Sequence, residues 1–481
     1  MFAIDLIRIL SAIIAIVGST LVIPIVTALV CGENQVIRAF AVPMVLSWIF
    51  FGIVALVFRK RKIELKIRTT FVVVAGAWIF VSLFGMIPLY ASGCISSFTD
   101  AFFESVSGFS TTGCTILNDV ENLPRSINMW RCQTHWLGGM GIVALTVALL
   151  PLLGVGGFQL IKAETTGPEK GKVTAKITTT AKILWTIYVV MTLIEAVLLR
   201  ICGMDTINAV MHSFSTLGTG GFSSLNSSVG GFNSSSISIV ITVFMVLAGV
   251  NFSLYYYAFT GKIREICENS EFKVYVAMLA ACILAIAFFI CPQYSSFGKA
   301  LELSGFQVAA IITTTGFATV DFTTWPMTAQ FIIFMLFFIG GCSGSTAGGI
   351  KVVRWVILCK QVNNETKKML HPHGVFAIRL NNNPGRKDVV FNVAAFMVVY
   401  MFLVMVTTFV GCLGKMDILT SLTGALSVVG NIGPAFGSLG PSFTYSALPE
   451  FVKWWYCFAM LAGRLELYTM IIFFMPVYWK K

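Results

Sequence analysis

Long apolar runs, separated by short polar or glycine-rich stretches, dominate this chain. A helix needs about 20 apolar residues to cross a bilayer. Runs of that kind recur at 10–28, 40–58, 70–90, 136–160, 180–202, 236–260, 273–292, 327–358, 388–412 and 451–478. Membrane helices are expected at each. The first run is longer than the apolar region of a signal peptide and lacks a small-residue cleavage site, so it is expected to remain as a membrane helix. Val30, ahead of Cys31, is too large for lipoprotein processing.

Between certain runs lie shorter segments of about 12–15 residues, too short to cross. Each runs into a glycine-centred turn: Ser-Thr-Thr-Gly-Cys (110–114), Gly-Thr-Gly-Gly-Phe (218–222), Thr-Thr-Thr-Gly-Phe (313–317) and Gly-Asn-Ile-Gly-Pro (430–434). Gly113, Gly221, Gly316 and Gly433 are equivalent points, 108, 95 and 117 residues apart. The pattern predicts four repeats of helix, re-entrant pore loop and helix around a central pore. Two extra N-terminal transmembrane helices precede them. The expected division is 1–62 for the extra helices, then repeats at 63–178, 179–268, 269–385 and 386–481.

Composition agrees. The chain is 57% hydrophobic and 11% charged, where a soluble chain carries about 25% charged residues; its mean hydropathy is +0.86. This is the profile of an all-α polytopic membrane protein. The net charge of +12 does not indicate nucleic acid, because the positions of the charges explain it. With an inside N-terminus, 25 Lys/Arg fall on one side of the membrane and 7 on the other. The basic side is cytoplasmic by the positive-inside rule. Both termini are then cytoplasmic and all four glycine turns face outward. Short loops and the lack of targeting signals fit a bacterial inner membrane.

Nothing in the sequence argues for an enzyme. The twelve cysteines form no CxxC, and half lie inside spans (Cys202, Cys282, Cys412 and Cys457 among them) as small apolar residues. His135, His212, His371 and His373 show no metal-ligand spacing; His371 and His373 read as a solvated loop. Asn226-Ser-Ser and Asn233-Ser-Ser match glycosylation acceptors, a match common by chance in Ser-rich loops. No organic cofactor is implied.

The four short segments have the composition an ion pore requires. Phe98–Ser110 reads as a helix opening at Thr99 and Asp100, Asp205 opens the second, Lys299–Thr313 is the third and Asp417–Val429 the fourth. Dehydrating a cation takes a ring of oxygens, and backbone carbonyls provide one without fixed charge. Aiming successive carbonyls at one axis takes the φ/ψ freedom of glycine. A half-helix ending below the turn directs its negative end to the cavity. One such turn is a loop or a close helix contact; four on one predicted side, each between two spans, point to a pore.

Together these motifs resemble the TrkH/TrkG/KtrB superfamily of potassium transporters, over nearly the whole chain. The two helices before about residue 62, and Ala163-Glu164-Thr165-Thr166-Gly167-Pro168 with its basic sequel, resemble the TrkH/TrkG branch. The resemblance implies potassium uptake, a homodimer in the lipid membrane, and gating by a cytosolic TrkA-type nucleotide-binding ring. Carried over by motif, the potassium filter comprises Thr111, Thr112 and Gly113; Thr219, Gly220 and Gly221; Thr314, Thr315 and Gly316; and Asn431, Ile432 and Gly433. Asn-Ile-Gly-Pro departs furthest from the others, and each repeat has one filter glycine of this kind. A filter less strict against sodium is expected.

At 1.5 Å per residue the 327–358 run would be about 48 Å long, against roughly 30 Å of hydrocarbon. Its middle, Gly340-Gly341-Cys342-Ser343-Gly344-Ser345-Thr346-Ala347-Gly348-Gly349, holds five glycines in ten residues and will not keep a regular helix. Either it is a kinked, tightly packed helix, or it is a broken one whose middle lies under the filter; the resemblance implies an intramembrane gating loop here. Arg464 is expected midway along 451–478, facing the cavity and bonding the gate-loop carbonyls, the alternative being a residue that snorkels to the inner surface. Glu466 is expected on a different face and to be an unlikely partner for it.

Glu104 and His212 are expected to serve packing or local hydrogen bonds, while Asp119 and Asp321 could draw cations to the mouth. The basic 162–182 and 351–387 loops are candidate docking surfaces. The alternative from another class is an alternating-access secondary carrier for another small cation or solute. Against it, the repeats run parallel, and Glu195, in the fifth span, lies off the expected axis. A purely structural membrane subunit leaves four filter-like turns without a purpose.

Overall fold

The computed structural model describes residues 2–59, 67–141, 177–294, 296–374, 376, 379–380, 383–384 and 387–479. The expected span 136–160 beyond Gly141, most of the 162–182 loop, most of the 59–68 basic cluster and the domain boundaries at 62 and 385 lie outside these residues. Among the described residues the regular secondary structure is helical apart from one two-residue antiparallel pairing, Arg379–Leu380 with Asn383–Pro384.

Six helical segments are long and apolar enough to cross a membrane: Ile4–Cys31, Asn34–Val57, Phe71–Ala91, Thr179–Ile201, Ser270–Gln293 and Val389–Leu413. Two more form if the bent pairs Ser235–Ala248 with Phe252–Phe259, and Glu450–Arg464 with Tyr468–Phe474, each count as one span. These pairs bend by 93° and 118°, where the hydrophobic pattern at 236–260 and 451–478 predicted continuous helices. The run 327–358 is also divided, into Met327–Leu336 and Val352–Leu370. An apolar pattern reports burial in lipid or protein; it does not report whether the backbone stays helical while buried.

The four short helices are Phe98–Phe109, Thr206–Leu217, Phe297–Ile312 and Ile418–Gly430. At 12 to 16 residues they extend about 18–24 Å, less than the hydrocarbon thickness. Each starts at an oxygen-bearing cap: Ser97, Asp205, Ser296 and Asp417 accept from backbone N–H groups of the first turn. In the first helix the cap is Ser97, two residues ahead of the Thr99 expected from sequence. Sequence also began the third helix at Lys299, two residues late.

One packing arrangement recurs. Each short helix lies against the long helix that precedes it, namely Ile67–Ala91, Ile177–Ile201, Ser270–Ile290 and Lys387–Leu413. Arg125–Gly139 then packs on Thr206–Leu217, Ser235–Ala248 on Phe297–Ile312, and Glu450–Arg464 back on Phe98–Phe109, so the end of the chain meets its first short helix. The N-terminal helices Phe2–Thr20 and Asn34–Val57 brace this body from outside. Glu33 holds them to it by accepting from the backbone N–H groups of Arg125 and Ser126 at 2.6 and 3.0 Å.

Asp417→Ala removes the acceptor for the Thr420 N–H at 3.0 Å and should lower stability by about 1 kcal/mol. Thermal unfolding in detergent checks this. Asp417→Asn should retain most of the wild-type midpoint.

Candidate functional site

The four short helices end alike. The N–H groups of Thr111 and Thr112 bond the carbonyls of Gly108 and Ser107; Thr219 and Gly220 bond Thr216 and Ser215; Thr314 and Thr315 bond Ile311 and Ala310; Asn431 and Ile432 bond Val428 and Ser427. The chain then takes φ of 56° and 79° at Thr111 and Gly113, 52° and 82° at Thr219 and Gly221, 54° and 76° at Thr314 and Gly316, and 55° and 108° at Asn431 and Gly433. Left-handed backbone is unfavourable for threonine. Its recurrence at the first position of three segments marks a strained geometry held by its surroundings.

The segments meet in a closed ring. A Cβ on Gly113 would collide with the Gly220 carbonyl oxygen, one on Gly221 with that of Thr315, and one on Gly316 with that of Ile432; on Gly433 it would lie 2.9 Å from the Thr112 oxygen. All twelve residues named from sequence for the filter thus lie side by side, in the order first, second, third, fourth, first. Among the described residues, eleven of their twelve carbonyls accept no hydrogen bond. The exception is Gly433, whose oxygen accepts from the Tyr445 and Ser427 hydroxyls, both at 2.8 Å, and from Cys114 Sγ at 3.3 Å.

Side chains fill the space behind the ring. Thr112 Oγ1 bonds Ser110 Oγ at 2.7 Å and accepts from Asn431 Nδ2 at 2.8 Å; Thr315 Oγ1 bonds Thr313 Oγ1 at 2.7 Å. The second segment has Gly220 at this position, and the His135 ring occupies the place its side chain would take. His135 Nδ1 is 2.8 Å from the Gly108 carbonyl, and its ring packs on Phe222 at 4.1 Å between centroids. Sequence reading missed His135. The signal was Gly-Gly where the other segments carry Thr-Gly or Ile-Gly, since a missing side chain leaves room for another.

The glycine-rich segment 340–349 abuts the ring. Thr219 Oγ1 donates to the Thr346 carbonyl at 2.9 Å, the Gly348 N–H donates to Thr314 Oγ1 at 2.6 Å, and Gly348 packs on Gly430 and Asn431. Chain on both sides anchors it. Cys342 N–H bonds the Gly249 carbonyl, Phe252 N–H bonds the Gly344 carbonyl, and Lys351 Nζ donates to the Ala347 carbonyl. One oxygen of the buried Glu271 accepts from both Ser343 N–H at 2.7 Å and Val353 N–H at 3.0 Å.

Arg464 is the last residue of its helix, at the 118° bend, where sequence placed it midway along a continuous span. Its guanidinium donates to the Thr346 carbonyl at 2.8 Å and to the Gly138 and Gly139 carbonyls at 2.8 and 3.0 Å. Glu466, at φ 56° just past the bend, pairs with Arg354 at 2.8 Å. Arg354 also sits 3.5 Å above the Phe396 ring centroid.

Glu104 forms a fully buried pair with Arg131 at 2.8 Å. It also accepts from Thr115 Oγ1 at 2.9 Å and Ile116 N–H at 3.0 Å, fixing the chain that leaves the first segment. His212 bonds the Asn208 carbonyl and Ser223 Oγ at 2.9 and 3.0 Å. Asp119 lies exposed in a loop, where the side-chain amides of Asn122 and Asn226 hold its carboxyl below the usual range. Asp321 accepts from Thr323 and Ser442. Glu195 is buried in its span. Among the described residues no three His, Cys, Asp or Glu side chains cluster as metal ligands.

Comparison with known proteins adds a family to this geometry. The model of a family described as TrkH, cation transport protein, matches residues 37–481. The Trk system potassium uptake protein TrkH of Halomonas elongata is 36% identical over 482 residues, covering 99% of each chain. TrkG of Escherichia coli, another Trk system potassium uptake protein, is 32% identical over 463 residues, covering 95% of this chain and 94% of its own. The crystal structure of the potassium transporter TrkH from Vibrio parahaemolyticus superposes with a TM-score of 0.86 at 32% identity over 100% of both chains.

Breaking the Glu104–Arg131 pair leaves a buried charge. Glu104→Ala or Arg131→Ala should each cost about 3–5 kcal/mol, read as loss of folded protein after extraction. The charge-free double variant Glu104→Met/Arg131→Leu should recover part of that loss.

Proposed function

This chain belongs to the TrkH family of cation transport proteins, and we propose that it carries potassium into the cell through the ring of Thr111–Gly113, Thr219–Gly221, Thr314–Gly316 and Asn431–Gly433. The observation that carries this reading is the set of eleven carbonyls that find no donor among the described residues. A buried carbonyl away from water is costly unless something pairs with it. A dehydrated cation on the axis supplies that partner eleven times over, as in carbonyl-lined filters generally. The C-terminal, negative ends of the four short helices converge on the same place and favour a cation there. No charged side chain belongs to the ring, so entry and release are not opposed by a fixed ion pair.

The 340–349 segment is the gate. It lies against the Thr219 and Thr314 hydroxyls, and its replacement of helix by loop leaves polar backbone where the path must continue. Arg464 locks it: three charge-assisted bonds tie the gate to the C-terminal end of Arg125–Gly139, and the guanidinium adds a positive charge beside the path. The four units divide near residues 62, 178, 268 and 385. The protein is a homodimer of the bacterial inner membrane with both termini cytoplasmic. The basic surface around Val352–Leu370, with Lys367 and Lys368 exposed, receives a cytosolic TrkA-type nucleotide-binding ring that releases the gate.

Uptake of radioactive rubidium into proteoliposomes tests the pore. Potassium should block it, sodium should block it weakly and choline not at all, and Gly113→Ser should erode the difference between potassium and sodium. Rubidium entry indifferent to potassium would overturn the reading. Arg464→Ala, or deletion within 342–347, should raise basal uptake without the cytosolic ring by roughly tenfold, the factor expected from loss of one charge-assisted hydrogen bond. Wild-type basal uptake in both folded variants would refute the gate.

A further inference from the structure

The ring is not equal on its four sides, and the inequality lies in one atom. Gly433 O accepts three hydrogen bonds, from Tyr445 Oη and Ser427 Oγ at 2.8 Å and from Cys114 Sγ at 3.3 Å. The corresponding oxygens of Gly113, Gly221 and Gly316 accept none among the described residues. A carbonyl has two lone pairs, so this oxygen is saturated by protein donors. Two further features agree with a carbonyl turned aside. Gly433 has φ 108°, against 76–82° at its three counterparts. Gly433 is also buried where the other three are half-buried.

The donors come from the packed body behind the ring. Ser427 lies in the fourth short helix. Cys114 follows Gly113 in the first segment. Tyr445 is 3% exposed, wedged between the Phe103 and Tyr456 rings at 6.0 and 6.3 Å, and its N–H bonds the Thr115 carbonyl. The fourth segment is thereby tied to the first at the one seam where the glycine approach is loosest.

We propose that Tyr445, with Ser427 and Cys114, sets ion discrimination by holding the Gly433 carbonyl away from the permeating ion, leaving three carbonyls rather than four in the glycine layer of the filter. The inference rests on the filter reading above. Selectivity depends on the number and field strength of the coordinating dipoles. A layer of three gives up part of the coordination that a large ion such as potassium requires, while a small ion is content with fewer oxygens. Tyr445 touches no ion; it is a positioning residue for specificity.

The test is the potassium-to-sodium permeability ratio of Tyr445→Phe/Ser427→Ala in proteoliposomes, beside wild type and Gly113→Ser. Freed of two donors, Gly433 O can turn to the axis. The ratio should rise by roughly fivefold, the equilibrium factor of one ordinary hydrogen bond. Tyr445→Phe alone preserves the ring packing and should shift the ratio in the same direction by less; it decides the matter if the double variant does not fold. An unchanged ratio overturns the proposal. So does a lower one, which would make the donors mere supports of the loop. If Gly113→Ser erodes discrimination while these variants do not raise it, the filter stands and this inference falls. If Gly113→Ser also leaves the ratio unchanged, the filter reading itself fails.

Discussion

Within hydrocarbon every backbone polar group must find a partner inside the protein. Most of this chain obeys by remaining helical. It departs from helix at the four ring segments and at the breaks in three later helices, and each departure is held by specific groups. Asn251 caps the helix resumed after the first break. Glu271 collects one N–H group from within the second and one just after it. Arg464 ends its helix at the third and spends its donors on carbonyls from other parts of the chain. Among the described residues, eleven of the twelve ring carbonyls are the remainder of this accounting; in the proposed reading their partner is an ion that comes and goes.

Buried charge follows the same logic. Arg131 with Glu104, Lys453 with Asp100 and Arg354 with Glu466 are each paired at 2.7–2.8 Å. None of the three lies in the ring itself. Arg131 and Glu104 fix the exit from the first segment, and Lys453 ties the last long helix to the start of the first short helix. Arg354 fixes the chain beyond the final bend. Such pairs add little net stability against apolar substitutes. Their effect is geometric: two of them fix the first short helix and the chain that leaves its segment, and the third fixes the last bend.

The membrane class, the short helices and the residues that line the ring were legible because they depend on local chemistry repeated four times: a segment too short to cross, then Thr-Thr-Gly or its relatives; the caps Ser97 and Ser296 were not read, because Thr99 and Lys299 lie close by. The break at 337–351 was legible for a similar reason, since Gly340 to Gly349 holds too much glycine for helix. The bends after Ala248 and Arg464 were not. Their sequences, Gly-Val-Asn and Leu-Glu-Leu, are compatible with a continuous helix, and the bends depend on partners distant in sequence. Glu466 shows the cost of that. At helical spacing it faces away from Arg464, but at φ 56° the chain has turned, and it reaches Arg354 from another element. His135 was missed because it completes the second repeat from within the first, and Tyr445 because it lies in the loop beyond the fourth turn and has no counterpart in the repeated motif.

A ring built by one chain need not be symmetric, unlike a ring of four identical subunits. The second segment gives up a side chain at Gly220 and receives an imidazole in its place. The fourth replaces threonine with Asn431, whose amide reaches both Thr112 and the Met460 carbonyl, and it places Pro434 against Gly316. Each wall can therefore change without the other three. Two walls, through Thr219 and Thr314, touch the 340–349 segment by hydrogen bond, while the fourth meets it by packing at Gly430 and Asn431. The hydroxyl of Thr111, in the first wall, has no partner among the described residues. The segment thus rests on one side of the ring more than the other, and Arg464, reaching from Thr346 to the C-terminal end of Arg125–Gly139, supplies the link to the wall it does not touch.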